Sequence, residues 1–214
     1  LPSRVLDRAG ERVDVVEYFG LWQAIRDTSG DAGIGVSLAC RVKPDLTEPL
    51  FLAILGAEDV RAAIETLSNY KRCLSPEDLL ITVDDTTGET TVVYVWPNLE
   101  PPEVLVDAEL AFIVEMCRRA TRSPDLSPRA IHVRRRVVDG GHARFFRCPI
   151  HAGAPSNAIV FAAEDWARRF ATHNPELTSV LLPHLSENSI PSAPLDRVRA
   201  AIQRRVPGRR PSLS

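Results

Sequence analysis

Apolar and polar positions alternate along this chain with two periods, and the periods divide it into elements. Residues 13–28 carry Val16, Phe19, Leu21, Trp22 and Ile25 on one broad face, with Glu17, Gln23, Arg26 and Asp27 outside it, which predicts an amphipathic helix ended by Ser29-Gly30-Asp31. Residues 33–39 are small and apolar and read as either a second short helix or a packed turn. Residues 49–55 form an unbroken apolar run bounded by Pro and Gly, which predicts a buried strand. Val60, Ile64, Leu67, Tyr70 and Leu74 then recur at helical spacing within residues 58–74, and Ser75-Pro76 ends that pattern.

The period changes next. Residues 79–84 and 90–96, rich in Val, Thr and Tyr and joined through Thr87-Gly88, predict a hairpin. Pro97, Pro101 and Pro102 break the pattern before the longest predicted helix, at 103–121. Residues 130–138 read as a strand carrying Arg134, Arg135 and Arg136, with Arg134 and Arg136 on one face and Arg135 on the other. Asp139-Gly140-Gly141 reads as a turn, residues 157–162 as a short apolar strand and residues 175–185 as a last helix. Strands joined partly by hairpins and interleaved with helices predict an α+β fold with a largely antiparallel sheet and packed helices.

After a Pro-bearing linker at 187–194, the spacing of Leu195, Val198, Ile202 and Val206 predicts one more short helix, with Ser192 as its cap, Pro194 in its first turn and Pro207-Gly208 as its stop. Arg197, Arg199, Arg204 and Arg205 occupy its other face. A short helix cannot bury an apolar stripe alone. Residues 195–214 therefore read either as the first helix of a basic module that continues past the end of this sequence or as a solvated basic terminus. The expected organisation is a domain at 1–186, the linker, and the start of a second unit at 195–214. No initiating Met stands at position 1, so trimming at the N-terminus is expected as well.

Charge sharpens this division. Residues 1–117 carry a net of −12, residues 118–147 set nine Arg against Asp125 and Asp139 for a net of +7, and the last 20 residues carry a net of +5. This is an acidic body with a basic tail, not a uniformly basic nucleic-acid-binding domain. The Arg134–Arg136 cluster either pairs with the acidic first half, the favoured reading, or binds a carboxylate or phosphate. No apolar run approaches the length of about 18 residues that spans a membrane, and the start has no basic segment followed by an apolar core. The four widely spaced cysteines are expected as free thiols in a reducing cytoplasm.

Motifs for chemistry are sparse. The chain has no Gly-x-Gly-x-x-Gly, no P-loop, no Gly-x-Ser-x-Gly and no Cys-x-x-Cys. Cys148-x-x-His151 is at most half of a zinc site, and His142 and His151 read as surface residues, so no metal, cofactor or catalytic residue is assigned. Small-molecule pockets are apolar with a few polar anchors. That makes Trp22, Tyr70, Trp96 and Phe146 candidates for pocket walls and His132 and Arg134 candidates for anchors, each against the competing reading of ordinary core or paired surface.

The segments Glu17-Tyr-Phe-Gly-Leu-Trp-Gln-Ala, Ser29-Gly-Asp-Ala-Gly-Ile-Gly-Val, Ala57-Glu-Asp-Val-Arg-Ala-Ala-Ile and Asn69-Tyr-Lys-Arg stand in a recognisable order. Arg129-Ala-Ile-His-Val, Phe145-Phe146 and Asn157-Ala-Ile-Val-Phe continue it. Over roughly residues 13–185 the chain resembles the N-terminal arabinose-binding-type domain of AraC/XylS-family transcription regulators, in the subgroup of ornithine-utilisation and virulence regulators. It departs from the family at Asp31-Ala32, where members commonly have Asp-Pro, and at Gly35-Val36, where Gly-Leu is usual. The resemblance implies a bacterial, cytoplasmic, non-enzymatic regulator that senses an effector and forms homodimers. It implies contact with DNA through helix-turn-helix units, of which 195–214 would be the start. It transfers no particular sugar. Two other readings stand beside it: an interaction and dimerisation domain without a small-molecule ligand, and a small enzyme with an unrecognised site.

Overall fold

The structure is a computed structural model that describes residues 13–41, 49–71, 75–96, 99–138 and 140–187. Most of the predicted linker and the predicted helix at 195–214 lie outside the described residues. Among those described, the chain runs α1 (Val15–Ser29), α2 (Ile34–Arg41), α3 (Pro49–Leu55), α4 (Val60–Tyr70), β1 (Asp78–Val83), β2 (Thr90–Val95) and α5 (Glu103–Thr121). It continues through β3 (Ala130–Val133), α6 (Gly140–Phe146), β4 (Ile150–Ala152), β5 (Asn157–Phe161), α7 (Ala163–Trp166) and α8 (Pro175–Glu187). The class is mixed α+β, with eight helices and a five-stranded, largely antiparallel sheet among the described residues.

The helix boundaries follow local chemistry. Asp14 caps α1 by accepting from the backbone N–H groups of Val16 and Glu17, both at 2.8 Å, and Gly30 closes it with φ 63°. Asp59 does the same for α4 through Ala62 N–H at 2.8 Å. The apolar run at 49–55 is a helix, not the predicted strand. Pro49 suits a first helical position, Leu, Phe and Ala outnumber the single β-branched Ile54, and neighbours cover the run on several sides, so its apolar continuity reports burial and not a strand period.

The sheet order is β1-β2-β5-β3-β4, antiparallel throughout except for the β3–β4 pair. Val92 of β2 faces Ile81 on one side and Ile159 on the other, and Ile159 continues to Ile131. These residues put an apolar row across the sheet. The predicted strand at 130–138 stops at Val133, so Arg134 and Arg136 do not alternate with Arg135 on a strand. The three arginines occupy a bend stapled by Gly153 N–H to Arg135 O at 2.8 Å. Where a Gly turn is expected, α6 begins, anchored by the buried His142 and Phe146 four residues apart.

Helix α5 is the axis of the molecule. Thirteen of its 19 residues are buried, which an amphipathic surface helix does not do, so it packs on several sides at once. Val106, Leu110, Ile113, Val114 and Cys117 join the core, and the Tyr94 hydroxyl of β2 donates to Glu109 O at 2.9 Å. On the other side α2 lies against α5 at Gly35, where a Cβ would overlap the Val104 carbonyl oxygen and sit 2.9 Å from Asp107 Cβ. Asp107 is buried and meets Arg135 Nη2 at 2.7 Å and His142 Nε2 at 2.8 Å, so it ties both the arginine bend and α6 to the central helix. His142 is thus interior, not at the surface as its sequence context suggests.

Candidate functional site

Between α1, α2, α3, α4 and α5 lies a cavity of about 210 Å³. Trp22 comes from α1, Leu38 and Ala39 from α2, Phe51 from α3, Leu67 from α4, and Ala108 and Phe112 from α5. Helical spacing sets this lining: Ala108 and Phe112 are four apart and so share one face of α5. Phe51 packs on Phe112 with ring centroids 5.4 Å apart, and Trp22 stands edge-on to Tyr18 at 6.3 Å. The Phe51–Phe112 pair and Ala39 also border a smaller void of about 20 Å³, room for roughly one water.

The polar part of the cavity is one ionic cluster. Lys71 Nζ lies 2.8 Å from Glu109 Oε2 and 2.8 Å from Glu77 Oε1, and the Ser75 hydroxyl donates to Glu77 Oε1 at 2.8 Å. Lys71 and Glu77 are buried, and the Glu109 side chain is 12% exposed. Burial pushes the Glu109 carboxyl up to about 7; Lys71 opposes that rise and Glu77 adds to it. Burial alone would depress the Lys71 ammonium, yet the two carboxylates lift it above its ordinary value. Burial, followed by the charges of Glu109 and Glu77, raises the Tyr18 hydroxyl. One ammonium therefore serves two carboxylates, and the surplus acid faces an otherwise apolar chamber.

The raised Glu109 carboxyl has a signed consequence. A carboxyl whose folded value lies above its unfolded one binds its proton more tightly in the native state. Between about pH 4.5 and 7 this group makes the fold less stable as pH rises, by a total on the order of 3 kcal/mol, and above 7 its contribution is flat. Glu109→Gln is expected to remove that slope. Urea denaturation of both proteins at pH 5 and pH 8 reads it as a pH-dependent midpoint difference.

Of the six candidate ligand contacts, Trp22 lines the cavity. Tyr70 ends α4 and packs half-buried against the core. Trp96 stacks on Tyr94 at 5.4 Å and 15°, behind the Glu109 backbone that Tyr94 holds. Phe146 is 1% exposed within the core, edge-on to Phe145. His132 lies on β3 with its ring 4.9 Å from His151, and burial, then His151, push its pKa down. Arg134 is half-exposed, with Nε 3.4 Å from Glu100 Oε1 in a separate groove of about 240 Å³.

Lys71 and Glu109 are not in that set. Their signal in the sequence was slight: Lys71 is one of two lysines in an arginine-rich chain, and Glu109 is a carboxylate inside an apolar helix. Their pairing spans 38 residues. Cys148 is half-buried and His151 exposed, and among the described residues no three His, Cys, Asp or Glu gather as metal ligands. Cys40, Cys117 and Cys148 are free thiols. No described helix is long and apolar enough to cross a membrane.

Residues 1–170 match the family described as the N-terminal arabinose-binding domain of the AraC transcription regulator. Among solved structures, the chain is similar to the transcriptional regulator CdpR from Pseudomonas aeruginosa. The TM-score is 0.55 at 13% identity, over 92% of this chain and 74% of that one, a likeness of fold. No curated protein sequence matches the chain.

Proposed function

The chain belongs to the AraC family of transcription regulators, whose N-terminal regulatory domain it carries, and on that premise we propose that the cavity above Lys71 and Glu109 receives a small, mostly apolar effector. The family is one of regulators and not of enzymes, so the site is read as a binding site. The observation that carries the proposal is the lining itself: apolar side chains from five helices around one buried ionic cluster, the composition of small-molecule pockets. The fit predicts a ligand with an apolar body and a hydrogen-bond donor or cationic head for the surplus carboxylate.

The mechanism follows from where the walls come from. An occupant contacts α1 and α3 on one side and α5 on the other, and so favours those packings in which the helices close on it. In a regulator that bias reaches DNA through helix-turn-helix units, for which the basic residues 195–214 are the proposed beginning. Homodimerisation in the cytoplasm belongs to the same proposal and rests on the family resemblance.

A thermal-shift screen against amines, amino acids, sugars and fatty acids tests the reading. An occupant at about a hundredfold over its dissociation constant adds roughly 2.7 kcal/mol to stability. Trp22 emission is expected to change on binding, and Trp22→Phe is expected to abolish that change while Trp96 and Trp166 remain. A hit that leaves Trp22 emission untouched would move the site elsewhere.

A further inference from the structure

Of the nine arginines of residues 118–147, eight fall into two groups in the fold. Arg129 meets Glu89 at 3.2 Å, Arg134 meets Glu100 at 3.4 Å and Arg135 meets Asp107 at 2.7 Å, so these three pair with the acidic first half. Five others, Arg118, Arg119, Arg122, Arg144 and Arg147, converge on one concave surface of about 580 Å³ at the C-terminal end of α5 and the flank of α6. Among the described residues, the carboxylates paired with these five guanidiniums are Glu115, held by Arg119 at 2.7 Å, and Asp125, held by Arg147 at 3.1 Å. Arg122 and Arg144 are exposed and have no carboxylate partner among the described residues.

Arg118 makes this more than a solvated patch. It is 7% exposed, yet among the described residues no carboxylate lies within ion-pair distance of it. Its Nε donates to Leu126 O at 2.8 Å and its Nη2 to Phe145 O at 2.9 Å, with the guanidinium 4.8 Å over the Phe145 ring. A guanidinium has five N–H donors, so the rest are left to the groove. Burial, then the charge of Arg147, depress the Arg118 pKa. A buried guanidinium held by two carbonyls, with Glu115 near but not paired to it, is costly unless an anion completes it.

We propose that this groove is a second binding site, for a small phosphate-bearing polyanion, with Arg118 as the buried donor and Arg122 and Arg144 as the exposed clamps. The volume falls within the range of roughly 300–1,000 Å³ typical of small-ligand sites. Arginine forks match phosphate oxygens two at a time. The site is independent of the cavity over Lys71, since among the groove residues only Glu115 and Arg119 border even the small void beside that cavity.

The test is calorimetric titration of the full chain with inorganic pyrophosphate at 150 mM salt. Saturable one-to-one binding is expected. The double variant Arg122→Gln/Arg144→Gln is expected to weaken it by roughly tenfold or more at an unchanged melting temperature. A control that removes the same charge elsewhere, Arg61→Gln/Arg169→Gln, is expected to change affinity by less than about twofold. Absence of saturable heat overturns the proposal, as does equal weakening in the control, which would mean long-range charge alone. A 20-base-pair DNA duplex is titrated in parallel. Duplex binding that the Arg122/Arg144 variant weakens, without pyrophosphate binding, would assign the groove to the nucleic-acid backbone and overturn the small-ligand reading.

Discussion

Lys71→Met is expected to cost on the order of 3–5 kcal/mol of folding stability at pH 8, because it leaves Glu77 and Glu109 as two carboxylates in one buried site without their cation. The side chains are similar in length, so packing changes little and charge decides the outcome. The loss is expected to shrink towards pH 5. Glu109 already sits near 7 with Lys71 present, and without that ammonium it takes up a proton at still higher pH. Urea midpoints of the two proteins at pH 5 and pH 8 read this directly. An equal loss at both values would mean that lost packing, not charge, dominates. Any occupant of the cavity that carries a cationic head should partly restore the variant at pH 8.

The second large effect belongs to Gly35. In an exposed helix, Gly→Ala gains about 1 kcal/mol in propensity. Here the new Cβ would overlap Val104 O and crowd Asp107 Cβ and Ala108 N, at 2.9 and 3.1 Å, and those atoms belong to the buried central helix and cannot yield as a flexible side chain would. Overpacking of this kind costs roughly 1–3 kcal/mol and occasionally more. A net loss on the order of 2–3 kcal/mol is expected, measured as a lower urea midpoint. Since α2 supplies Leu38 and Ala39 to the cavity wall, effector binding should weaken with it. A Gly35→Ala protein as stable as the parent would mean that α2 docks less closely than the geometry states.

Sequence pattern alone carried the elements whose period is unambiguous. The helix at 103–121 and the hairpin through Thr87-Gly88 stand where the pattern put them, because a 19-residue run free of Gly and Pro and a strand–turn–strand pattern have few competitors. Pro49–Leu55 was misread because an all-apolar run has no period to read, and Gly140–Phe146 because two glycines disguise a helix held from outside by Asp107. The strand end at Val133 had a local cause that no window shows: Arg135 turns inward to a carboxylate on α5. For the proposed cavity, aromatic content pointed to Trp22 and gave no pointer to the Lys71–Glu109 pair. A buried ion pair is legible only once two segments 38 residues apart are known to touch.

Helix α3 has two working faces. One presents Phe51 to the cavity. The other end of the same seven-residue element is gripped by the segment that leads into α8: Thr172 donates to Leu55 O at 2.6 Å, Asn174 N–H to Gly56 O at 2.9 Å, and His173 Nδ1 lies 3.1 Å from Gly56 O. Leu181, Leu182 and Leu185 of α8 then pack on the core beside it. This short helix thus borders the chamber at Phe51 and is held at its C-terminal end by the segment that leads into α8. A shift of Phe51 by an occupant is therefore expected to bear on the contacts that hold α8.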